Sequence, residues 1–189
     1  MACIGNIGAS LEMACGAPAP AFNRIQGAKL INASDIESFT VSGTTGYATI
    51  TLATGKKGYE VTTVNNALSI SVGMKSQDFM PGAFDVTVTF KDFANELSRG
   101  MTSSKAPLGV IDELARAELV IAVDHGGGMC RVYGLGAPLV CLEYNMDSTA
   151  DGYATLTYGV EDWQVGTTIH PIAKSYYDLL GTPAAAPEP

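Results

Sequence analysis

The sequence predicts a mainly β or α+β protein: an antiparallel β-sandwich or half barrel flanked by one α-helix, with extended N- and C-terminal arms. Three observations carry this expectation. Apolar and polar residues alternate with period 2 in many short stretches, from Ala48-Thr-Ile-Thr-Leu52 to Tyr153-Ala-Thr-Leu-Thr-Tyr158. Glycine makes up 21 of 189 residues, well above the usual ~7%, which favours turns over a helical bundle. Hydrophobic residues are 47% and charged residues only 16%, so a full core is available while part of the surface lacks the usual ~25% of charge and is expected to be covered. The length fits one domain.

Residues 1–26 read as an Ala/Gly/Pro-rich arm containing Gly16-Ala-Pro-Ala-Pro20. The β-rich domain is expected over 27–165. Lys29–Asn32 is a first strand. Ala48, Ile50 and Leu52 share one face of a second, with Thr49 and Thr51 opposite. Thr54-Gly-Lys-Lys-Gly58 turns the chain, and Tyr59–Val64 is read as the returning strand of a hairpin. Leu68–Val72 alternates again, and Gly73–Gly82, with Pro81, is an irregular loop. Phe84–Phe90 is the cleanest strand, with Phe84, Val86, Val88 and Phe90 on one face. The helix is expected over about 106–117. Ser103-Ser-Lys precedes it, Pro107 is tolerated in its first turn, and Leu108, Ile111 and Leu114 recur at helical spacing. Leu119–Val123 and Met129–Tyr133 flank the loop Asp124-His-Gly-Gly-Gly128 as a hairpin. Leu139–Tyr144 and Tyr153–Tyr158 form another across the polar residues 145–152. Residues 166–189 read as a C-terminal arm ending in a Pro/Ala-rich tail.

The chemistry-bearing residues point away from catalysis. Of the four cysteines none forms C-x-x-C; Cys130 and Cys141 fall in strands as small core residues, and Cys3 and Cys15 can pair only if the arm folds back. Asp124 beside His125 has the residue types to polarise a nucleophile, and three glycines offer N–H groups to an oxyanion. A tight turn needs the same glycines for positive φ, and neither G-x-S-x-G nor a P-loop accompanies them, so the turn is the reading taken. His125 and His170 are the only histidines, which excludes a His-rich metal site. The stretch from Asn145 and Asp147 to Asp151-Gly152 has calcium-like residue types without the twelve-residue loop or its closing Glu. Glu161 and Asp162 are adjacent, so on a strand they face opposite ways. No enzyme, cofactor or metal site is expected, nor a leader or membrane span, since no run of 18 apolar residues occurs.

Net charge is −8, and residues 112–189 hold all of it, with eleven carboxylates against Arg116, Arg131 and Lys174. Such a chain is a poor nucleic-acid binder, because affinity there comes from Lys and Arg displacing counterions. Strands need their edges paired or blocked, and copies of one chain can pair them. Self-assembly is therefore the expected work.

The Met1-Ala-Cys3 start, Lys29-Leu-Ile-Asn32 with Asp35-Ile36, the stretch Ile50–Glu60, Val132-Tyr-Gly-Leu135, and Gly152-Tyr-Ala-Thr-Leu-Thr157 followed by Glu161 resemble major tail tube proteins of tailed bacteriophages, specifically those of phages and prophages of Bacteroidetes-type hosts. The resemblance spans about residues 1–165 and rests on strand and turn patterns. It implies a virion structural protein, assembled in the host cytoplasm, whose partners are itself and other phage tail proteins. Six subunits form a ring around a continuous barrel, and stacked rings conduct genomic DNA without specific binding. Lumens of such tubes are commonly acidic, which makes Glu143, Asp147, Asp151, Glu161 and Asp162 lumen candidates. Ring-to-ring contacts are expected from Met74, Phe79, Met80 and Pro81 and from Ile4 and Ile7 of the arm. The competing expectations are another phage structural subunit (capsid cement, neck or tail terminator) and a carbohydrate-binding β-sandwich. The last is weakened by a single Trp and scattered tyrosines.

Overall fold

A computed structural model of the chain describes residues 25–61, 68–74, 84–93, 114–146, 153–160 and 168–185. Within them the chain runs through β1 (Gly27–Asn32), a 3-10 turn at Ala33–Asp35, β2 (Ile36–Val41), β3 (Ala48–Leu52), β4 (Tyr59–Val61), β5 (Leu68–Met74) and β6 (Phe84–Phe93). It continues through β7 (Leu119–Asp124), β8 (Cys130–Leu135), β9 (Val140–Met146), β10 (Tyr153–Gly159), β11 (Thr168–Ile172) and the helix α1 (Lys174–Leu179). The protein is mainly antiparallel β-sheet. A central sheet has the order β11-β8-β7-β1-β4, an open sheet the order β5-β6-β10-β9, and β2 pairs with β3 as a separate hairpin. Every strand pair is antiparallel.

The central sheet is buried on both faces. Leu30 of β1, Leu119, Ile121 and Val123 of β7 and Tyr133 of β8 meet Val86, Val88, Leu156 and Tyr158 of the open sheet in one core. Val120, Ala122, Val132 and Ile172 face the other way, toward Ile50 and Leu52 of β3 and Tyr177 of α1. This is why β7 reads as an unbroken apolar run: Leu119 to Val123 are all buried, and alternation sorts these five between two cores rather than between core and water. The open sheet shows the opposite pattern, with Val86 and Val88 buried and Thr87 and Thr89 on the far side.

Helix α1 is six residues long, too short to hold itself, so its contacts hold it. Lys29, 3% exposed, donates from Nζ to the carbonyls of Tyr177 at 2.9 Å and Asp178 at 3.0 Å, capping the helix end with a cation. The Tyr176 hydroxyl donates to Ile50 O at 3.0 Å, and the Gly58 N–H donates to Leu180 O at 2.6 Å. A second staple joins the β1–β2 and β3–β4 connections. Asp35 is buried and accepts from Lys56 Nζ at 2.8 Å and from Asn32 Nδ2 at 2.8 Å.

Three expectations change here. Tyr59–Val61 does not return against Ala48–Leu52: β3 pairs with β2, which the sequence reading missed, and β4 pairs with β1 across Leu30 and Tyr59. Thr54–Gly58 is thus a crossing from the outer hairpin to the central sheet. The segment read as a C-terminal arm contains β11 and α1, and its Ile172, Tyr177 and Leu180 complete the second core. Gly73 and Met74, assigned to a loop, end β5 opposite Asp85 and Phe84. The expected 106–117 helix lies mostly outside the described residues; 114–116 are helical, and the Tyr158 hydroxyl donates to Leu114 O at 2.7 Å.

Tyr133 and Leu135 fall in different cores although two residues apart on β8. Gly134, at φ 88°, lies between them beside a register shift against β11, and a Cβ there would sit 3.0 Å from Leu119 O. Gly134→Ala should therefore lower unfolding free energy by about 2 kcal/mol, measured by urea denaturation. Hydrogen bonds from Lys56 and Asn32 hold the Asp35 carboxyl below its ordinary value. A depressed folded-state carboxylate stabilises above its unfolded titration and loses that contribution as pH falls. The urea midpoint should drop as pH passes below about 4, and Asp35→Asn should flatten that part of the curve.

Candidate functional site

The Asp124–Gly128 loop is where sequence placed catalytic residue types, and the structure uses them for packing. Gly126, Gly127 and Gly128 all have positive φ, at 80°, 62° and 82°. Asp124 Oδ1 accepts the Gly126 N–H at 2.8 Å, and the His125 N–H reaches Met129 O at 2.8 Å. His125 is 3% exposed, and its Nε2 shares a hydrogen bond with the buried Tyr133 hydroxyl at 2.9 Å. Asp124 Oδ2 faces Lys174 Nζ at 3.6 Å, so its carboxylate ties the loop to α1. Burial, and then the Asp124 charge, push the Cys130 thiol up to about 11, the reverse of an activated nucleophile. Burial likewise pushes the Tyr133 hydroxyl up to about 12.

Among the described residues no three or more His, Cys, Asp or Glu side chains gather as a metal site, and no helix is long and apolar enough to cross a membrane. A shallow groove of about 440 Å³ runs between β3 and α1. Ile50, Leu52, Tyr176 and Leu179 line it, with Glu37 as its carboxylate. That lining can hold an apolar group and has no paired acid and base.

The open sheet differs from the central sheet at its edges. On the central sheet, β11 carries Pro171, which has no N–H to offer, and a register shift at Thr168/Ile169. The other edge, β4, is three residues long and bears Glu60. These features blunt an edge. On the open sheet, β5 and β9 are seven residues each, without proline, and Glu143 is their one charged residue. Val72 is 44% exposed on β5, and Leu142 and Tyr144 are 53% and 37% exposed on β9. Val72 shares the face of Leu68 and Ile70, and Tyr144 lies opposite the fully buried Leu156. The apolar layer thus runs out to both borders, where it meets water. Strand β2 also exposes Phe39 and Val41, as one border of a two-stranded ribbon.

Comparison of the chain with protein-family models, with curated proteins and with solved structures finds no match.

Of the lumen candidates, Glu143 lies exposed on β9 opposite Thr157; Asp147, Asp151, Glu161 and Asp162 lie outside the described residues. Of the ring-contact candidates, Met74 ends β5; Phe79, Met80, Pro81, Ile4 and Ile7 lie outside them. The open edges themselves were not identified from sequence. The available signal was weak: two seven-residue strands almost free of charge and proline.

Cys130 gives a direct check on the packed loop. In folded protein at pH 8, iodoacetamide should leave Cys130 unmodified, and unfolding in urea should expose it to complete alkylation, as read by peptide mass spectrometry.

Proposed function

We propose that the chain is a structural subunit that works by joining copies of itself, with the open sheet running from one copy into the next. The observation that carries this is the pair of seven-residue edges on β5 and β9, which no other described strand pairs. In the order β5-β6-β10-β9 each strand is antiparallel to its neighbour, so β5 and β9 run in opposite directions. The β9 edge of one copy can therefore accept the β5 edge of the next as another antiparallel pair. The contact is head-to-tail, the kind that closes a ring when its rotation permits. Tyr144 then meets the row of Leu68, Ile70 and Val72 on the next copy, and each junction extends the first core.

The resemblance to major tail tube proteins gives this ring its place: a tube subunit of a phage tail, with DNA moving through the channel. Six copies would contribute four strands each. At about 4.8 Å per strand and a tilt of about 40°, the barrel backbone would be roughly 48 Å across, leaving about 38 Å between side chains. The shift between Thr157 and Tyr158, where Leu142 is the extra residue on β9, adds local bend and twist of the kind closed sheets use.

Concentrated recombinant protein should form long tubes in negative-stain images. The double variant Val72→Lys/Tyr144→Lys should keep its circular dichroism while needing roughly tenfold or more protein to assemble, a change of about 1.4 kcal/mol per contact. A parent chain that stays monomeric at high concentration, or a double variant that assembles like the parent, would refute the proposal.

A further inference from the structure

Glu143 is the one charged residue on the two border strands of the open sheet, and it stands at the middle of β9. It is exposed, opposite Thr157 of β10, in a cross-strand row that runs on through Thr89 of β6 to Ser69 of β5. Lys91, the one cation these four strands carry, falls in the neighbouring row on β6, opposite Thr155 and two strands away from β9. On the same face β5 offers Ser69, Ser71 and Gly73, none of them charged.

We propose that Glu143 selects the partner of the β9 border: it turns away a second β9 and leaves β5 of another copy as the strand that fits. The inference rests on the joining of copies proposed above and adds the residue that gives the contact a single sense.

An antiparallel border can pair with its own copy about a twofold axis, an alternative that any head-to-tail assembly has to disfavour. For β9 the self-pair carries a penalty. With the axis at Glu143 the two carboxylates stand directly opposite, about 5 Å apart at Cβ; with the axis at Tyr144 they lie on a diagonal of about 7–8 Å, still within reach of long side chains. Like charges so placed destabilise a sheet. Beside β5, Glu143 meets serine hydroxyls, which donate to a carboxylate in charge-assisted hydrogen bonds. The same exclusion decides the kind of assembly. Growth through twofold contacts needs β5 against β5 alternating with β9 against β9, and barring the second stops it at a dimer. Pairing β9 with β5 covers both borders of every copy and repeats without limit.

The test uses full-length chains with one border closed. Val72→Lys puts a charge on β5 and leaves β9 free; Tyr144→Lys puts one on β9 and leaves β5 free. Circular dichroism checks that each variant folds, and sedimentation velocity reads association. The Val72→Lys chain alone should stay monomeric, and mixed with the Tyr144→Lys chain it should form a one-to-one dimer. Val72→Lys/Glu143→Gln should associate with itself roughly fivefold or more tightly than Val72→Lys does. Val72→Lys/Glu143→Lys should pair with the Val72→Lys chain, lysine against glutamate, roughly tenfold more tightly than either pairs with itself, and salt should weaken that pair. No dimer in the first mixture would sink the β5–β9 junction and this inference with it. A β5–β9 dimer combined with failure of either the Glu143→Gln gain or the lysine–glutamate pair would overturn the role of Glu143 alone.

Discussion

Burial of the central sheet on both faces is the constraint on which the rest of the architecture depends. A strand such as β7 has no solvent side, so two separate layers must cover it. The open sheet covers one face and the β2–β3 hairpin with α1 covers the other. The chain crosses between the two main sheets at Leu119 and Leu139, whose backbones exchange two hydrogen bonds of 2.8 Å. Lys29 anchors the smaller cover from within the central sheet. Its ammonium ends a six-residue helix that could not persist in water alone.

This layering separates two tasks. The central sheet is internally finished: proline, a register shift and a very short strand close its borders. The open sheet has one apolar face committed to the core and one polar face, and no other described strand pairs along its β5 and β9 borders. In a monomeric protein such borders invite uncontrolled pairing. In the proposed assembly, their opposed directions, the apolar residues on both and the near absence of charge let copies add in one fixed sense.

Much of the fold was legible in the sequence where one physical signal dominated. Val86, Val88 and their threonine neighbours marked a half-buried strand, and the Asp124–Gly128 glycines marked a tight turn. Where signals conflicted, the reading failed. Ile36–Val41 is exposed along most of its length, so β2 lacks a clean alternation. Thr54–Gly58 has turn residues, but chain direction after a turn is decided by which sheet offers a partner, and Leu30 was that partner for Tyr59. Helix α1 is too brief to show a period, and the Pro/Ala-rich tail after it suggested an arm. Whether a strand is a border is a property of the assembled sheet, so the candidate surface could not be read from local pattern at all.

The position of Thr168–Leu180 in the chain carries a consequence for biosynthesis. A ribosome releases β5, β6, β9 and β10 before it releases β11 and α1, so the open sheet's borders exist while the central sheet still lacks its edge strand β11 and the second core its helix. The late clasp, with Lys29 on the first strand bonded to carbonyls nearly 150 residues onward, cannot close until the chain has been made through Asp178.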